Sequence, residues 1–112
     1  MYEEGTVLCA SSAYTKHFYL NPEFEGLPEG IREELKIMCV LYTEDVGGTL
    51  LLRFDEEGNL NFETDANEED LLYDEIGSVL KIKQIQAQKA DFLESLEMYY
   101  RVFFLGEVWE DE

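Results

Sequence analysis

The chain has 112 residues, with 26 Asp and Glu against 8 Lys and Arg and one His, a formal net charge of −18. Its length predicts one domain over residues 1–112, and 46% hydrophobic with 13% aromatic content supplies the apolar surface a packed core needs. So acidic a chain repels phosphate backbones and anionic lipid, which argues against nucleic acid and membrane as partners unless a basic patch is segregated on one face.

In chain order, Thr6–Ala10 and Tyr14–Leu20 read as two short strands around a Ser11-Ser12-Ala13 turn. Asn21-Pro22 ends the second strand, and residues 21–30, with both prolines, read as a loop. Pro28 suits a first helical turn. Ile31, Leu35, Met38 and Tyr42 then recur at helical spacing until Gly47-Gly48. The rival is a short helix to Lys36 followed by a buried strand over 37–42. The polar side formed by Glu33, Glu34 and Lys36 favours the continuous helix. Leu50–Phe54 and Leu60–Thr64 flank Asp55-Glu56-Glu57-Gly58-Asn59 and predict a hairpin with one buried face, Gly58 supplying a positive φ.

Asp65–Asp70 reads as a polar connector, with Asn67 able to cap a helix beginning near Leu71. From Leu71 to Leu105 there is no proline and one glycine, Gly77. Two stripes run along this stretch. Leu72, Ile76, Val79 and Leu80 form the first. Ile82, Ile85, Lys89, Phe92, Leu96, Tyr99 and Phe103 form the second, at coiled-coil period. Unbroken, such a helix would run about 52 Å, longer than the roughly 34 Å span of a compact globule of this size. Either it breaks near Gln86-Ala87-Gln88, with Asp91 and Glu94 as a capping pair, or it overhangs and finds a partner. Gly106 stops it, and Val108 and Trp109 can fold back onto the body.

No arrangement specifies catalysis. His17 is the single histidine, and with Cys9 and Cys39 the chain offers three candidate zinc ligands where a structural site usually takes four. Both cysteines sit in apolar runs that suit buried free thiols, a disulfide being the less favoured alternative. Asp55–Asn59 departs from the calcium-loop pattern, since Gly58 is fourth and not sixth. A weak cation site across Glu63, Asp65, Glu68, Glu69 and Asp70 is chemically feasible. No phosphate-binding loop or cofactor motif occurs. The N-terminus lacks a signal-peptide pattern and no apolar run reaches the ~20 residues of a membrane span, so the expected location is the cytoplasm.

Charge is segregated along the chain. Residues 55–75 carry ten acidic residues and no basic one, whereas residues 76–90 carry Lys81, Lys83 and Lys89 and no acid. A basic strip beside an acidic hairpin can pair within the fold or between subunits.

Residues 34–48, Asp70–Gly77 and Met98–Leu105 resemble a small uncharacterised domain family of clostridial bacteria, Gram-positive anaerobes. The resemblance implies a bacterial cytosolic protein and carries no activity, ligand or catalytic residue.

The reading is therefore an α+β fold of order ββαββα(α): an antiparallel sheet of about four strands, as two hairpins, on two to three helices. The expected function is non-enzymatic: a protein-interaction or regulatory module, a homodimer or bound to another protein, that associates through its C-terminal helical region. The expected surface is Lys81, Ile82, Ile85, Lys89, Phe92, Leu96, Tyr99 and Phe103. The alternatives are an acidic mimic of nucleic acid that inhibits a DNA- or RNA-binding protein, and a weak cation- or small-molecule-binding subunit.

Overall fold

The computed structural model describes residues 5–107. The elements are β1 (Thr6–Ser12), β2 (His17–Leu20), a 3-10 turn (Pro22–Phe24), α1 (Glu29–Val46), β3 (Thr49–Phe54), β4 (Leu60–Asp65), α2 (Glu75–Gln88) and α3 (Ala90–Phe103). All strand pairings are antiparallel, in the order β2-β1-β3-β4. This is the expected α+β architecture, with two hairpins and a C-terminal helical region.

Alternation in β3 turns Leu50, Leu52 and Phe54 inward. In β1 the alternation slips. Val7 pairs with Arg53 and Cys9 with Leu52, so Leu8 is an extra, bulged residue, and Leu8 and Cys9 are both fully buried. The bulge changes the strand's phase so that Cys9 and Ser11 face the helices. Against them lie Leu35, Met38, Cys39 and Tyr42 of α1, then Ile85 of α2 and Leu93, Leu96 and Tyr100 of α3. Each fully buried leucine contributes about 1.5–3 kcal/mol of transfer free energy. An aromatic stack closes one end of this core. Phe54 and Tyr100 lie 4.3 Å apart, and Phe24, brought in by the 3-10 turn, stacks on Phe104 at 4.7 Å.

Three boundaries differ from the expected ones. The first turn is residues 13–16, not 11–13, because Ser12 pairs with His17 and its Oγ accepts from the N–H groups of Tyr14 and Thr15. Segment 37–42 is helix, as favoured. The C-terminal helical stretch begins at Glu75, not Leu71, because Asp74 and not Asn67 is its cap: the Asp74 side chain accepts from the Gly77 N–H at 2.9 Å. The stretch breaks at Lys89, next to the expected 86–88. Asp91 and Glu94 do not cap the second piece, since Lys89 holds the cap position and its side chain makes no capping hydrogen bond. Val108 and Trp109 lie outside the described residues.

Candidate interaction surface

Helix α2 has two apolar faces, and the fold uses one. The inward face carries Ser78, Ile82, Ile85 and Lys89, at spacings of four, three and four. Ile85 is buried in the core and Ile82 packs against it. The buried Ser78 hydroxyl bonds the phenol of Tyr42 and accepts from Tyr73 at 2.9 Å. Burial pushes the Tyr42 phenol up to about 12, an effect that the Ser78 hydrogen bond opposes and Tyr73 reinforces. Two lysines of the basic strip also turn to α1. Lys81 pairs with Asp45 at 3.1 Å and Lys89 with Glu34 at 2.9 Å.

The outward face carries Ile76, Val79, Leu80, Lys83 and Ala87, again at helical spacing. Ile76 is 76% exposed, and Val79 and Leu80 are more than half exposed. The apolar surface continues onto the turn before the helix, where Leu71 and Leu72 are 92% and 93% exposed. That turn is fastened on both sides. The Tyr14 hydroxyl donates to Asp70 Oδ2 at 2.6 Å and accepts from the Asn67 N–H at 3.0 Å. The Leu72 N–H donates to Asp70 Oδ1 at 3.1 Å. The Asp70 carboxylate raises the Tyr14 phenol above its usual range. Leu71 and Leu72 are thus displayed by a hydrogen-bonded turn.

An open hollow of about 810 Å³ adjoins the helix. Ile76 and Val79 form one wall, Tyr73 and Ser78 also line it, and Asp65, Glu68, Asp70, Asp74 and Glu75 supply acidic groups. Cationic and apolar chemistry could therefore be received side by side.

The eight residues expected to form the surface are distributed differently. Ile85 and Leu96 are buried, and Ile82, Phe92 and Tyr99 pack against the core. Lys81 and Lys89 are paired with α1. Phe103 remains 70% exposed, its ring 4.7 Å from that of Tyr99. The period-3.5 seam turns inward because α2 and α3 must cover the sheet. The outward positions were visible as the first stripe, but its spacing does not say which stripe the sheet claims.

A second hollow, of about 460 Å³, is lined by Ser11, Ser12, Lys16, His17, Thr43 and Glu44 among others. Its buried hydroxyls are already satisfied, since Ser11 and Thr43 bond each other at 2.9 Å. Cys9 and Cys39 are free, buried thiols with sulfurs 3.8 Å apart. Among the described residues no group of three or more His, Cys, Asp or Glu side chains is placed to hold a metal ion, and no helix is long and apolar enough to cross a membrane.

Among the described residues, a four-stranded antiparallel sheet covered by three helices, one of them with a spare apolar face, defines a small α+β domain. The chain belongs to DUF6145, a family of unknown function, whose model matches residues 5–108. No curated protein and no solved structure matches it.

Proposed function

We propose that this protein is a non-enzymatic cytosolic interaction module that docks through its C-terminal helical region, with the outward face of α2 as the contact. The carrying observation is the exposed stripe of Ile76, Val79 and Leu80, extended by Leu71 and Leu72 on a fastened turn. Helices that are apolar on two sides usually have both sides covered, and contiguous apolar surface rimmed by polar groups marks association sites.

Self-association is the second reading, favoured by one arrangement on α2. Glu75 and Lys83 bracket the stripe, so two antiparallel copies of the helix would bring each lysine toward the other copy's glutamate, a self-complementary contact. Light scattering coupled to size exclusion separates the two readings. A 13 kDa species at high micromolar concentration leaves the face to another protein, whereas a species of twice that mass that reverts to monomer in Ile76→Gln/Leu80→Gln supports the dimer. A dimer insensitive to that substitution would remove α2 as its contact.

A further inference from the structure

We propose that the occupant of this face is a basic amphipathic helix of a different protein, with its apolar residues on the α2 stripe and its lysines or arginines over the acid-rimmed hollow. This rests on the interaction reading above and adds the partner's chemistry. Three observations choose it over a second copy.

The first is the composition of the rim. Asp65, Glu68, Asp70, Asp74 and Glu75 line the hollow, while Lys81 and Lys89 are engaged by Asp45 and Glu34 of α1. In a symmetric pairing along α2, Lys83 is the one lysine that the outward face turns toward the other copy's acidic rim. The second is the net charge of −18 on each copy, which opposes their approach and draws in a cationic chain. The third is the juxtaposition itself. Ile76 and Val79 belong both to the exposed ridge and to the wall of the hollow. A helix bearing apolar residues at i, i+3, i+4 and i+7 with basic residues beside them matches that ridge and hollow together. Nucleic acid and anionic lipid fail on charge, and an uncharged apolar peptide would leave the rim unanswered.

The probe is a fluorescein-labelled, amidated 18-residue peptide of leucine and lysine at that spacing. Two controls accompany it: a scrambled peptide of equal composition, and one with glutamate in place of lysine. Anisotropy is read with the full chain at 50 and 300 mM NaCl. Saturable binding is expected for the amphipathic peptide alone. Ile76→Gln/Leu80→Gln should weaken it at least tenfold at both salt concentrations. Glu68→Gln/Glu75→Gln should weaken it severalfold at 50 mM and less at 300 mM, while Glu23→Gln/Glu25→Gln, on the distant 3-10 turn, should leave it unchanged.

Equal binding of the scrambled peptide, or equal loss from both carboxylate pairs, would overturn the proposal, because attraction would then be unspecific. Loss with the carboxylates but not with the apolar pair would overturn it in favour of an electrostatic decoy. Absence of peptide binding together with an Ile76- and Leu80-dependent dimer would overturn this inference and leave the docking face standing. Absence of both would remove the face as well.

Discussion

Cys9 and Cys39 show how burial sets reactivity. The hydrogen bond with Cys39, with burial adding to it, raises the Cys9 thiol well above its ordinary value, and the thiolate is the reactive form. Neither cysteine should react with an aromatic disulfide reagent at pH 8 in native buffer, and both should react once urea unfolds the chain. Rapid labelling of the native protein would contradict this placement. The same shift makes stability depend on pH. A group whose folded value is raised contributes stability that is fully present below its unfolded value and is lost as pH rises toward the folded one. For Cys9 the loss begins near the ordinary thiol value of 9.0, and for Tyr42 it spans about 10 to about 12. Urea unfolding should therefore give falling midpoints above pH 9, and Tyr42→Phe should flatten the portion above pH 10. A glycine gives a second test at this scale. Gly48 has φ +71, and a Cβ there would meet the Asp65 carbonyl oxygen at 2.5 Å and the Tyr73 ring at 2.8 Å. Gly48→Ala should cost about 2–3 kcal/mol by chemical denaturation.

At the scale of elements, the β3–β4 hairpin was legible because alternation and Gly58 agree with each other. The structure adds a lock. Asp55 Oδ1 accepts from the Glu57 and Asn59 N–H groups, both at 2.9 Å, and Arg101 of α3 donates to the Glu57 carbonyl at 3.1 Å. The start of α2 was harder to read. Asn67, Asp70 and Asp74 all have capping side chains, and the choice fell to Asp74 because Asp70 is held by Tyr14 and the Leu72 N–H. Asp74→Ala should lower stability by about 1 kcal/mol, measured by urea unfolding. The interaction surface was the least legible part. Both stripes of residues 71–103 have helical period, and period alone does not reveal which one packs on a sheet built from residues 6–65. The seam with more aromatics went to the core apart from the exposed Phe103, and beside it Tyr100 stacks on Phe54 and bonds Thr6 Oγ1 at 2.8 Å.

For the whole molecule, charge and fold pull in different directions. Eighteen net negative charges on 112 residues repel one another in the compact state. The pairs Lys81–Asp45 and Lys89–Glu34 answer a few of them, across the α1–α2 boundary. Raising NaCl from 50 to 500 mM should therefore raise the thermal midpoint, because screening relieves the repulsion more than it weakens partly exposed pairs. If α2 docks through its outward stripe, that stripe serves binding and not folding. Equilibrium urea unfolding of Ile76→Gln/Leu80→Gln tests it most directly, beside Ile85→Ala on the inward face of the same helix. The exposed pair should unfold within about 0.5 kcal/mol of the wild-type chain, whereas Ile85→Ala should lose about 2–5 kcal/mol. A loss from the exposed pair as large as that from Ile85→Ala would show that the stripe is part of the core and not a docking face.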